Sequence, residues 1–175
     1  MTKKSTRYIV QGAIIAAMYA VLTVGQNVLI PGSASMAVQF RVAEAMTVLV
    51  FFTPAAIPGL TIGCIIANIS SVTAGLGFYD MIFGSIATLL AALSMRALRN
   101  VCIKDIPFAA LLMPAVFNGL IIGFEIDFFF MGSMHFNFVN FLIQGGLVAL
   151  GELVVVFVLG IPLTLIIKKR NIIKE

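Results

Sequence analysis

Apolar residues fill this chain in runs of about 20 or more, and the polar positions collect at the ends of those runs instead of alternating along an amphipathic surface. A membrane-spanning helix needs about 20 consecutive apolar residues. The first run covers about 8–29 and stops at Pro31-Gly32-Ser33, and later runs cover about 80–98, 107–131 and 138–167. The stretch 42–69 is harder, because it reads either as one long helix or as two short ones. Thr53-Pro54 and Pro58 interrupt it, and proline removes a hydrogen-bond donor while disfavouring helix in the residue before it. Parity decides between the two. If the basic N-terminus and the basic connection at Arg99 to Lys104 share one side, an even number of crossings separates them. Two helices, about 42–53 and 54–69, supply the fourth crossing. Each reaches only about 17 to 24 Å at an α-helical rise, so both must be tilted, shielded or extended into their loops. The expected fold is an all-α membrane protein: one domain, residues 1–175, with six transmembrane helices and both termini cytoplasmic.

Composition agrees. The chain is 61% hydrophobic and 10% charged, far below the roughly one-quarter charge of soluble domains. Its net charge of +4 sits on Lys3, Lys4 and Arg7, on Arg96, Arg99 and Lys104, and on Lys168, Lys169, Arg170 and Lys174. Those groups flank apolar runs in the positive-inside pattern, which points to lipid and topology and away from nucleic acid. Arg41 is the only cation elsewhere. The first apolar run is too long for a cleaved signal core, so the first helix is expected to stay. Cys64 and Cys102 give no disulfide or metal framework. The chain carries no phosphate-binding loop and no nucleophile constellation, so it is expected neither to be an enzyme nor to hydrolyse ATP itself.

On this topology Arg41, Glu44, Asn68, Tyr79, Asp80, Glu125, Asp127, His135, Asn137, Asn140 and Gln144 gather toward the outer side. Glu152 lies near the middle of the last helix. A carboxylate at that depth costs about 2.5 to 3.5 kcal/mol even on lenient scales, so it is expected to face a cavity, a partner or a functional path. Asn118 and Glu125, seven apart, share a helix face. Asp127 points nearly opposite to Glu125, and at the rim simple solvation explains it and Asp80 equally well. Asn137, Asn140, Gln144, Val148 and Glu152 step by three and four into a polar stripe, read as a pocket wall or as interhelical hydrogen bonding. Arg41 and Glu44 are either a self-neutralising ion pair or part of the pocket mouth, and His135 reads as a loop residue. The balance is acidic: Glu44, Asp80, Glu125, Asp127 and Glu152 against Arg41. That favours a ligand with an amine or several N–H donors, since carboxylates accept paired hydrogen bonds. A stand-alone carrier in which Glu125 or Glu152 relays protons is the alternative.

Small residues form a second pattern. Ala13, Ala16, Ala17 and Ala20 make two interleaved small-xxx-small pairs, and Gly59 with Gly63 and Gly119 with Gly123 make GxxxG steps. Such residues let helices approach closely, inside the protein or against a partner.

The segments VQFRVAEAMTVLVFFTPAAIPGLTIGCIIANI, from Val38, DMIFGSIATLLAAL, from Asp80, and GELVVVFVLGIPL, from Gly151, closely resemble the QueT family. Its members are substrate-binding S components of energy-coupling factor (ECF) transporters for queuosine precursors. The resemblance implies six helices and a substrate pocket near the outer face. It also implies docking through alanines of the first helix on a membrane coupling subunit that carries two ATPase subunits. Uptake would be driven by ATP hydrolysed in those partners, with no cofactor in this chain. The four alanines match the AxxxA pattern, and spacing leaves the contacting pair open. An S component for another vitamin or purine stands beside the stand-alone carrier as an alternative. The implied ligand is a deazaguanine such as preQ1, preQ0 or queuine. Glu125 or Glu152 would take its guanine-like edge, and Asn118, Asn68, Asn140 and Gln144 would complete the polar contacts. Phe40, Phe78 or Tyr79 would stack or cap, and Arg41 and Glu44 would fix the mouth.

Overall fold

The computed structural model describes residues 2–30, 38–73, 78–103, 106–131 and 135–170. The expected break at Pro31-Gly32-Ser33, most of the loop before Tyr79, and Lys104 lie outside them. Among the described residues the chain is all helical: α1 (Lys3–Leu29), α2 (Val42–Phe51), α3 (Ala56–Thr73), α4 (Tyr79–Leu98), α5 (Phe108–Phe130) and α6 (Phe138–Arg170). Four of these, α1, α4, α5 and α6, are long and apolar enough to cross a membrane. The other two are shorter apolar helices, as the prolines predict.

The helices pack in succession, α1 on α3, α3 on α4, α4 on α5 and α5 on α6, and α2 touches α1, α3, α4 and α6. Helix α2 is buried on nearly every side, from Ala43 through Val48 and again at Val50, as a helix without a polar face should be. Its 10 residues form a 3₁₀ helix. At a rise of about 2.0 Å per residue it spans about 20 Å, where an α-helix would span about 15 Å. Stretching and shielding together therefore accommodate a segment too short to span as α-helix.

A 3₁₀ helix has poorer hydrogen-bond geometry and open ends, and apolar surroundings offer those ends no water. Side chains from neighbouring helices fill the role. Gln26 of α1 donates through Nε2 to the Phe40 carbonyl and accepts the Val42 N–H at 2.9 Å through Oε1. At the other end, Arg96 of α4 donates from Nη1 to the Val50 and Phe51 carbonyls at 2.7 and 3.3 Å. The turn into α3 is set by Thr53, whose hydroxyl accepts the Ala55 N–H at 3.3 Å and donates to Gln11 Oε1 at 3.1 Å. Pro58 falls in the first turn of α3, where its missing N–H removes no helical bond.

The glycine steps are internal seams. A Cβ on Gly63 would lie 2.8 Å from the Ala16 carbonyl oxygen, and one on Gly123 would lie 2.6 Å from Gly145 Cα. These seams join α3 to α1 and α5 to α6. π-helical turns interrupt α5 at Ile126–Phe130 and α6 at Val156–Gly160. The second immediately precedes Pro162, whose ring cannot continue regular α-helical bonding.

Candidate functional site

Polar side chains from all six helices turn inward to one buried region beside the start of α2. Arg41, at the N-cap of α2, and Glu44, in its first turn, are 7% and 0% exposed. Helix α3 adds Asn68, α4 adds Asp80 and Thr88, α5 adds Glu125, with Asn118 buried two turns earlier on the same helix face, α6 adds Glu152, and α1 adds Tyr19. Asn118, Glu125 and Glu152 are fully buried. The electrostatic field of Arg41 reaches Asp80, Glu44, Glu125 and Glu152, so these charges form one cluster.

Part of the cluster is a scaffold. Arg41 Nη2 pairs with Asp80 Oδ1 at 3.5 Å. Asn68 Nδ2 donates to the Asp80 backbone carbonyl at 3.0 Å, which ties α3 to the start of α4. The Tyr19 hydroxyl donates to Glu44 Oε1, and Thr88 Oγ1 lies 3.5 Å from both that oxygen and Cys64 Sγ. Arg41 and Glu44 are therefore not each other's ion pair. The extended backbone at Arg41 sends its side chain to α4, while Glu44 faces α1. The segment carrying Gln39 is pressed against α6, since a Cβ on Gly151 would sit 2.1 Å from the Gln39 carbonyl oxygen.

The rest of the cluster has no protein partner. Gln39 Oε1, Glu44 Oε2, both oxygens of Glu125, both of Glu152, and both amide atoms of Asn118 are buried without a hydrogen bond among the described residues. That is seven oxygens against one nitrogen. Each unsatisfied buried group costs about 1–3 kcal/mol, more when charged, and buried polar groups in proteins are almost always bonded. Such a region is matched by a molecule that brings several N–H donors, and one acceptor for the Asn118 amide.

Other expected site residues lie further out. Asn140 and Gln144 are half-buried on the α6 face that leads down to Val148 and Glu152. Tyr79 is exposed at the rim and stacks on Phe129, with ring centroids 4.1 Å apart. Phe40 and Phe78 are exposed, as is His135. Two readings need correction. Asp127 is not a solvated rim residue: it is buried, and its Oδ2 accepts the Asn137 N–H at 2.8 Å. Asn137 does not extend the polar stripe: its Oδ1 caps α6 by accepting the Val139 and Asn140 N–H groups at 3.0 and 3.2 Å. Sequence reasoning missed Tyr19, Thr88, Cys64 and Gln39. For Tyr19 a signal existed, because a tyrosine inside an apolar helix needs a partner for its hydroxyl.

A family model described as QueT transporter matches residues 9–169, nearly the whole chain and every residue of this cluster. The chain belongs to the QueT transporter family. It is 34% identical over 164 residues, 90% of each chain, to a protein of Lactococcus lactis subsp. cremoris (strain MG1363) described as queuosine precursor transporter QueT. No solved structure matches the chain. As a QueT family member it is a multi-pass membrane transporter and not an enzyme.

The four alanines of α1 divide between two faces in this QueT protein. Ala16 and Ala20 are buried, with Ala16 beneath Gly63, whereas Ala13 and Ala17 are exposed. Exposed apolar residues Val10, Ile14, Met18 and Val21 surround the outward pair.

Proposed function

We propose that this chain is the S component of an ATP-driven ECF transporter and captures a queuosine precursor, a deazaguanine such as preQ1, preQ0 or queuine, from outside. It crosses the membrane six times with both termini cytoplasmic. The observation that carries this reading is the set of seven partnerless buried oxygens on Gln39, Glu44, Asn118, Glu125 and Glu152. The guanine-like edge of a deazaguanine presents adjacent N–H donors, which one carboxylate accepts in parallel. Glu125 or Glu152 takes that edge, and the other is available to the aminomethyl cation of preQ1. Asn118 donates to the ring carbonyl through Nδ2. Asn68 and Asp80 act as positioning residues through Arg41, and Tyr19 and Thr88 hold Glu44. Asn140 and Gln144 line the approach from the rim, and Tyr79 on Phe129 forms an aromatic border. The name of the Lactococcus relative supports the substrate class.

The exposed Ala13–Ala17 pair offers a smooth strip on which a coupling subunit packs, and ATP is hydrolysed by two ATPase subunits attached to it. Toppling of the S component in that complex carries the ligand inward. A second reading, proton-coupled carriage by this chain alone, draws on the same unpartnered Glu125 and Glu152, since intramembrane carboxylates serve as proton relays. Uptake of radiolabelled preQ1 into liposomes separates the two. The S-component reading expects accumulation only with the coupling and ATPase subunits and ATP. Accumulation by this chain alone under a proton gradient overturns it.

A further inference from the structure

At one end of the bundle, away from the acidic cluster, lies a cavity of about 380 Å³. Lys4, Arg7, Tyr8 and Gln11 of α1 line it, together with the α2–α3 connection and Arg96 of α4. Among the described residues that line it are three cations and no carboxylate. Three bonds already described fix its walls: Arg96 to the Val50 and Phe51 carbonyls, and Thr53 to Gln11. Phe52 forms a wall shared with a second cavity, of about 190 Å³, lined by Arg99 and Lys168. Five cations thus collect around one aromatic residue where α1 begins and α4 and α6 end.

We propose that the Lys4–Arg7–Arg96 cavity binds the phosphodiester headgroup of an anionic phospholipid. The site is basic, partly walled, and set between helices at the end of apolar spans, where basic pockets take lipid headgroups. Its position favours a lipid over a soluble anion. Tyr8 of the lining is 43% exposed, and Val10, Ile14 and Met18 are exposed at helical spacing along α1, so acyl chains below the headgroup meet an apolar side of that helix. Tyr8 is also an interfacial residue type, apolar in body and polar at its tip. Nothing in this site requires the deazaguanine reading, and it stands if that reading fails.

Native mass spectrometry of the purified full chain, titrated with phosphatidylglycerol or phosphatidylcholine in detergent, tests the proposal. The expected result is retention of phosphatidylglycerol in preference to phosphatidylcholine. In the Lys4→Gln/Arg7→Gln variant, which leaves Arg96 bonded to the end of α2, retention should fall about 25-fold, from about fivefold per cation. Equal retention of the two lipids, or unchanged phosphatidylglycerol retention in the variant, overturns the proposal and leaves the basic end to an acidic protein partner. Inorganic phosphate, run as a separate arm, should raise the melting temperature much less than phosphatidylglycerol does. An equal rise overturns the lipid assignment. On the unaltered chain retention should weaken as salt is added, which keeps the proposal testable if the variant folds poorly, and salt-independent retention counts against it.

Discussion

Replacing Glu125 or Glu152 with glutamine separates ligand binding from stability. Both carboxylates are buried with both oxygens unpartnered. In the complex, the recognising carboxylate accepts two N–H groups, each charge-assisted bond worth about 1.5–3 kcal/mol. Glutamine keeps one acceptor, loses the charge, and turns an NH2 toward another donor. The combined loss is about 3–4 kcal/mol, which weakens binding about 150- to 900-fold. Without ligand the change costs little, because a buried carboxyl group with no partner is neutralised instead of held as a charge, and glutamine then replaces one neutral polar group with another. The ligand-free melting temperature should therefore stay within about 2–4 °C of the parent's, which corresponds to about 1 kcal/mol. The assay pairs calorimetric titration of preQ1 with ligand-free thermal unfolding of the parent, Glu125→Gln and Glu152→Gln proteins. The variant with the larger loss of affinity identifies the carboxylate at the guanine-like edge. If both variants bind as tightly as the parent, the assignment of the recognition carboxylate is wrong. If affinity and stability fall together, the carboxylates are structural.

Four further changes probe other parts of the account. Ala13→Leu with Ala17→Leu should abolish co-purification with the coupling subunit while leaving preQ1 binding within about twofold. Ala16→Leu, forced into the Gly63 seam, should instead destabilise the chain itself by about 1–3 kcal/mol, read as a lower melting temperature. Gly145→Val meets the Gly119 carbonyl oxygen, 2.5 Å from its Cβ position. It should lower the melting temperature by several degrees and displace Glu125 relative to Glu152, reducing preQ1 affinity in the same preparation. Tyr19→Phe removes the hydroxyl that holds Glu44. Loss of one bond to a buried carboxylate should cost about 1–3 kcal/mol, seen in unfolding, with a smaller effect on preQ1 affinity than either glutamine variant.

Much of this architecture is legible in the chain because the membrane forces it. Helix lengths follow from the bilayer, and Thr53-Pro54 with Pro58 divides 42–69 where the structure ends α2 at Phe51 and begins α3 at Ala56. The 3₁₀ form of α2 was not legible, because it depends on long-range partners: Gln26 at one end and Arg96 at the other. Glu44, Glu125 and Glu152 could be placed inside from hydropathy alone, since a charge in an apolar run must find protein. Their partners could not. Arg41 is three residues from Glu44, yet it pairs with Asp80 on α4 because its backbone is extended. Likewise, spacing put all four alanines of α1 in candidate pairs. Only the packing of Gly63 on Ala16 divides them into an inner and an outer face.

The central claim is that this chain alone, through its acceptor-rich cluster, binds a deazaguanine. Isothermal calorimetry of the purified chain in detergent, without any coupling or ATPase subunit, tests it most directly with preQ1, preQ0, queuine and guanine. The account predicts tight one-to-one binding of at least one deazaguanine and markedly weaker binding of guanine. No heat with any of the four, under conditions where the chain remains folded, would contradict it.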